Sequence, residues 1–282
     1  MFTPQLRMML VGVFLLLAPS LGLAESQSKS KLSAADLVKA VIYNELHQPA
    51  ASDVRWKYRL EKEVDGKQET REVVETKSGS LDRLLSVAGR PLSDVQAGDE
   101  ASRILKFSHN PEEQRKAEQA RRKDAQQCDA FLKMIPDAFV FEYAGESENA
   151  TKLTFKANPN FRPPSREGKV LQQMAGEMWV DTKQQRLVSI NGQLVNEVKF
   201  AGGLLGHLEK GGQFTVKRAE IASGDWEVTE MNVNMHGKAL LFKNICVQQK
   251  EVHSNFERVP DDLSLADAAS MLLRQTLVAE KR

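Results

Sequence analysis

The chain has 282 residues, and its 39 lysines and arginines almost match its 38 aspartates and glutamates. That balance excludes binding by general attraction to nucleic acid, which depends on a basic excess over phosphate. The length suits one large domain, or a β-rich domain carrying a helical insertion.

Residues 1–24 read as a secretory signal peptide. Arg7 precedes an apolar run from Met8 to Ala18, and Pro19, Ser20, Gly22 and Ala24 supply a small-residue cleavage region. The run is interrupted too early for a spanning helix, which needs roughly 20 apolar residues, and no later segment is apolar enough to span a bilayer. Cleavage after Ala24 removes one arginine and no acid, leaving a neutral mature chain in the periplasm or outside the cell. Residues 25–32 form a polar tether, 33–274 a single domain with a helical insertion over 91–136, and 275–282 a polar tail.

Ser33 caps a first helix whose apolar stripe is Leu37, Val38, Val41, Ile42 and Leu46, and Pro49 to Ser52 ends it. Alternation follows, with Val54, Trp56, Tyr58 and Leu60 on one side and Arg55, Lys57, Arg59 and Glu61 on the other. Asp65-Gly66 marks a hairpin, its return strand runs over 68–77, and a third strand covers Leu81 to Val87. After Gly89 to Pro91 a helix is expected over 94–107. A second begins at the Asn110 cap with Pro111 in its first turn, and its first half, Glu112 to Asp124, is nearly all polar. That run reads as a solvated face or as an arm that touches a partner. Its apolar face is Cys128, Phe131, Leu132 and Ile135.

From Pro136 onward the pattern is of strands. Phe139, Phe141 and Tyr143 alternate, as do Leu153, Phe155 and Ala157, and 158–168 is a Pro-rich connection. Further strands are expected near 177–182, 186–200, 213–221, 226–235 and 239–249, punctuated at Asn191-Gly192, Gly202-Gly203, Gly211-Gly212, Gly224-Asp225 and His236-Gly237. A last helix is capped at Asp262 or Ser264. The expected fold is α+β, a large antiparallel sheet curled toward a barrel.

Catalytic motifs are scarce. The sequence holds no Gly-x-Ser-x-Gly elbow, His-Glu-x-x-His, Cys-x-x-Cys or phosphate-binding glycine loop, and its five histidines stand apart from one another. No cofactor, metal or nucleic acid is implied. Cys128 and Cys246 could pair, closing a long loop worth about 4 to 5 kcal/mol, or could be two small buried hydrophobes. Phe200 to Leu208 is unusual for a connection, since Phe200, Leu204, Leu205 and Leu208 ride on a glycine-rich backbone. It reads as a helical turn on the core or as an apolar lip over a cavity.

Gly176-Glu-Met-Trp-Val-Asp-Thr182 with Arg186-Leu-Val-Ser-Ile190 resembles the paired strands of bacterial outer-membrane lipoprotein-sorting proteins and their relatives. Lys210-Gly-Gly212, Gly224-Asp-Trp226 and Gly237 to Phe242 continue the pattern, so the likeness covers residues 138–250. Pro159 to Ser165 resembles a family of secreted bacterial proteins with no established activity. The resemblance implies an unclosed half-barrel with helices on its concave side. It also implies either carriage of acyl chains or sensing of envelope stress through a protein partner, although the charged insertion departs from the carriers. Trp56, Tyr58, Phe141, Phe155, Val180, Met231 and Val233 are the residues expected to line an apolar cavity for a lipid or lipidated ligand, with Phe200 to Leu208 at its mouth. The alternative is an envelope sensor or scaffold, and an enzyme ranks last.

Overall fold

A computed structural model describes residues 32–47, 54–203, 206–239 and 243–279. The signal peptide, most of the tether, Pro49 to Ser52, Leu204, Leu205 and the end of the tail lie outside the described residues. Helix α1 (Ala34–Leu46) starts where Ser33 Oγ accepts from the Asp36 amide at 3.1 Å, and Leu37, Val38, Val41 and Ile42 are its buried stripe. Strands β1 (Arg55–Val64) and β2 (Lys67–Thr76) are joined by Asp65 and Gly66 alone, at φ 49° and 76°. Two positive φ angles make the tight hairpin turn that asparagine, aspartate and glycine favour.

Strands β3 (Gly79–Val87) and β4 (Arg90–Pro91) complete the first meander. Helix α2 (Asp94–Ser108) opens with a reciprocal Ser93–Gln96 capping box, and α3 (Pro111–Ala138) with Asn110 accepting from two amides. The long helix runs past Pro136, which cannot donate the intrahelical bond to the carbonyl of Leu132 and lies two residues before the helix ends. Strands β5 (Phe139–Glu146) and β6 (Ala150–Ala157) follow. The Pro-rich connection then contains a helix the sequence pattern does not reveal, α4 (Arg166–Leu171), capped by Ser165 and too short to show a period.

Strands β7 (Met174–Asp181), β8 (Leu187–Leu194), β9 (Val198–Phe200), β10 (Gly206–Leu208), β11 (Gln213–Ala222), β12 (Asp225–Ala239) and β13 (Lys243–Val259) come next, before α5 (Leu265–Ala279). Ser264, not Asp262, caps α5 by accepting from the Asp267 amide at 3.1 Å. Asn191-Gly192 and His236-Gly237, expected as turns, lie inside β8 and β12. Their glycines mark close approach instead. A Cβ on Gly192 would lie 2.2 Å from the Phe214 ring, and one on Gly237 2.2 Å from the His207 carbonyl of β10.

The strands form one open antiparallel sheet of thirteen, in the order β4-β3-β2-β1-β13-β12-β11-β8-β7-β6-β5, with β10 and β9 pairing off β12. The curved α+β sheet expected from the sequence is what the chain forms, and the register adds how the helices are shared between its faces. Directly opposed residues of an antiparallel pair project to the same face. One such row runs Lys62, Glu251, Met231, Val216, Ile190, Met178 across β1, β13, β12, β11, β8 and β7. Met178 belongs to a core in which α1 and the end of α3 pack on β5 to β8, with Val38, Val41, Leu153, Phe155 and Val180 buried.

A second core lies on the other face. Val74 opposes Leu81 and Lys57, out of phase with the Tyr58–Val73 pair, and packs with Ile104 of α2 and Leu265, Ala268 and Leu272 of α5. The same sheet therefore carries α1 on one face at its β5–β8 end and α2 with α5 on the opposite face at its β1–β3 end. Among the described residues, no helix is long and apolar enough to cross a membrane.

Candidate functional site

The face that carries α1 continues past the edge of the first core onto β11, β12 and β13. Phe214, Ile190 and Met235 still pack against that core, whereas Met231 and Val233 are half-buried and belong to neither core. Val233 opposes Phe214 on one side and Gln249 on the other, and Met231 opposes Val216 and Glu251. The result is an apolar strip with an ionised border, because Glu251 pairs with Lys62 at 2.8 Å and accepts from Gln249 Nε2 at 2.9 Å.

Beyond the strip stands an aromatic and ionisable cluster. The Tyr58 ring stacks on His253 at 5.1 Å and on Phe256 at 5.3 Å, and Trp56 meets Phe256 edge-on at 6.3 Å. His253 Nε2 lies 3.7 Å from Glu251 Oε2, beyond hydrogen-bond reach, and is buried without a hydrogen-bond partner. His253 and Lys62 hold Glu251 down to about 2. Burial has the opposite effect on its neighbours. It pushes up the Glu75 carboxyl, which accepts from the Trp56 amide at 3.0 Å, and the Glu227 carboxyl, where the charge of Glu75 adds to the rise. Burial likewise raises the Tyr58 hydroxyl, with Glu75, Glu227 and Glu251 contributing.

Between strip and core, Glu45 at the end of α1 is held by two arginines. Its carboxylate pairs with Arg218 of β11 and lies 3.8 Å from Arg186 Nε, while accepting from the Leu187 amide at 3.1 Å. Asn44 adds bonds to the carbonyls of Gln184 and Gln185 at 3.2 and 3.3 Å. Burial lowers both arginines, yet each keeps its carboxylate partner. These contacts anchor the end of α1 to the sheet.

The positions expected to line a cavity therefore separate into three surroundings. Phe141, Phe155 and Val180 are packed in the first core, at 8%, 4% and 0% exposure. Met231 and Val233 lie on the open strip, and Trp56 and Tyr58 in the aromatic cluster. Phe200 and Leu208 pack against the first core; their companions Leu204 and Leu205 lie outside the described residues. Cys128 is a free thiol exposed on α3, so it is not one of two buried hydrophobes, and the Cys246 side chain lies outside the described residues.

The charged helix is more than a solvated face, because Arg121 Nη2 donates to the Ser78 carbonyl at 3.1 Å and its guanidinium fills the space over Gly79. Sequence reasoning missed His253, Glu75, Glu227 and Glu45. The strand bearing His253 was expected to stop at residue 249, and no local pattern joins β13 to β1. Among the described residues, no group of three or more His, Cys, Asp or Glu side chains could hold a metal. The cluster supplies carboxylates, a histidine and aromatic faces, which equip it for binding.

No protein-family model and no curated protein matches the sequence. Among solved structures, the chain is similar to a DUF1329 family protein from Desulfovibrio piger, at 11% identity over 86% of this chain and 100% of that one, with a TM-score of 0.27. It is also similar to MucB in complex with MucA(peri), at 10% identity over 79% of this chain and 94% of that one, with a TM-score of 0.22. At so low an overlap neither likeness bears on function.

Proposed function

We propose that this chain is an exported, non-catalytic binding protein of the cell envelope that engages a protein partner through the open strip of β11, β12 and β13. One observation carries the reading. Val216, Met231 and Val233 share a face and a register with core residues, yet no core absorbs Met231 or Val233. Half-buried apolar side chains bordered by the Lys62–Glu251 pair suit an amphipathic segment, whose apolar side covers the strip while its polar side meets the border.

A lipid tail is the weaker occupant. It gains about 0.8 kcal/mol for each CH₂ removed from water, so it needs an enclosed apolar space. Three of the side chains expected to line that space are already filling the core. The signal peptide reading and the resemblance of residues 138–250 to lipoprotein-sorting proteins support export and an envelope location.

The test is affinity purification of the tagged mature protein from its own envelope, beside Met231→Arg and a fluorescent fatty acid titration. A partner is expected to co-purify stoichiometrically with the wild type and to be lost with Met231→Arg, without saturable acyl binding. Saturable micromolar binding of the fatty acid, abolished by Met231→Arg, would replace the protein partner with a lipid.

A further inference from the structure

Strand β13 is irregular where it crosses β1. Arg59 opposes Ser254 and Lys57 opposes Glu257, so Asn255 and Phe256 together face the single residue Tyr58. Asn255 has a φ of 56°, in the left-handed region that asparagine enters more readily than most residues. A bulge of this kind re-aims the side chains around it. Here the Tyr58 ring stacks on Phe256 from within the bulge and on His253 from the regular strand before it. The His253 ring lies within 11° of parallel.

That packing holds the imidazole with Nε2 shut off from water and without a hydrogen bond. Glu251 Oε2 lies 3.7 Å away, about half an ångström too far for one. The other carboxylate oxygen is taken, because Lys62 Nζ at 2.8 Å and Gln249 Nε2 at 2.9 Å both meet Oε1. A gap of this size fits an Nε2 that confronts Oε2 as a second acceptor, with the ring proton on Nδ1. Charged and titratable groups surround the ring. Tyr58 and Lys62 face it from β1, Glu75 from β2 and Glu227 from β12, with Glu251 on its own strand. Arg55 acts in turn on Glu75, Arg218 on Glu227 and Asp82 on Tyr58. Among these groups, Glu251 is the carboxylate that comes within reach of a ring nitrogen.

We propose that His253 is an acid-responsive latch on the seam between β1 and β13. A proton taken from solvent converts the imidazole to imidazolium, which donates from both nitrogens, and Nε2–H then closes on Glu251 Oε2. Loss of the proton restores two facing acceptors and reopens the gap. Histidine is the side chain suited to this task, since its charge ordinarily changes between about pH 5 and 8. The closed bond joins two ionised groups, the stronger class of hydrogen bond. It engages the border carboxylate that opposes Met231, and it adds a positive charge two residues along β13 from that border. The latch needs no partner on the strip and operates in the protein alone.

Two measurements on the mature protein test it. The first is nitrogen-15 NMR of the histidine rings in the wild type and Glu251→Gln. A slowly exchanging Nε2 proton on His253 is expected in the wild type at about pH 5.5 and not at about pH 8, and at neither in Glu251→Gln. The second is a double-mutant cycle of His253→Phe and Glu251→Gln, followed by denaturant unfolding at the same two pH values. Phenylalanine keeps the ring stack on Tyr58 and removes both nitrogens. Glu251 is ionised throughout, because its folded value is about 2, so the change with pH comes from residue 253. Glu75 and Glu227 are common to all four proteins, and the cycle subtracts them. The coupling is expected to be about fivefold or more in the unfolding equilibrium at the acid pH and to vanish at the basic one. An Nε2 proton seen at both pH values, or at neither, overturns the latch, as does a coupling that pH leaves unchanged. If His253→Phe does not fold, the NMR result decides alone.

Discussion

Val233 and Asn234 are neighbours on β12, but they belong to different surfaces. Val233 lies among Phe214, Val216 and Met231 beside a filled core, and Asn234 stands exposed in a row of amides. A strand alternates its side chains, so one sheet supports two unrelated surfaces back to back. The helices obey the same separation, with α1 covering one face at one end and α2 with α5 the other face at the other end. Function in this molecule has to be read by face, because a single strand contributes to both.

The largest expected effect separates core from strip. Phe155→Ala should cost about 3 to 5 kcal/mol in denaturant unfolding, as for a buried aromatic in a well-packed interior. Val233→Ala should cost no more than about 1 kcal/mol, since its side chain is already half in water. Equal losses would mean that the strip is part of the core. Next comes the attachment of α1. Glu45→Ala removes the carboxylate that pairs with two buried arginines, and removing one partner of a buried pair typically costs about 3 kcal/mol. A change below about 1 kcal/mol would show those arginines paired elsewhere.

The sequence shows the local grammar of this fold plainly. Ser33, Ser93 and Asn110 announce helix starts, Asp65-Gly66 announces a two-residue hairpin, and each does so through bonds made within a few residues. Face assignment is not legible in that way. The alternation of Trp56, Tyr58 and Leu60 marks an apolar side of β1, yet α2 and α5 cover the side bearing Lys57, because Val74 and Leu81 on the neighbouring strands supply the apolar contact there. Likewise Tyr58, Glu75 and His253 meet only through the pairing of β1 with β2 and β13, whose register no local signal records. The glycines of β8 and β12 mislead for the same reason: a missing Cβ makes room for a distant ring or strand as readily as for a turn.

Acid separates the carboxylates of the cluster. Glu251 sits at about 2 when folded against a usual value of 4.5, so its stabilisation is complete above 4.5 and is lost as pH falls toward 2. With solvent screening, Glu251→Gln should remove about 1 kcal/mol at neutral pH and nothing at the acid end. Glu227 runs the other way. Its folded value is raised by burial, so its ionised form destabilises above that value and the penalty disappears on acidification. Glu227→Gln should therefore raise the melting temperature slightly at pH 7, with the gain gone by about pH 4. A loss of stability at pH 7 would show that the ionised carboxylate is paired.

A photo-crosslinking amino acid placed at Val233 and, separately, at Asn234 tests the division of the sheet most directly. The chain is expressed in its own cells and irradiated in the intact envelope. A discrete protein adduct is expected from position 233 and none from position 234. A protein adduct from position 234 alone, or none from position 233, would contradict it.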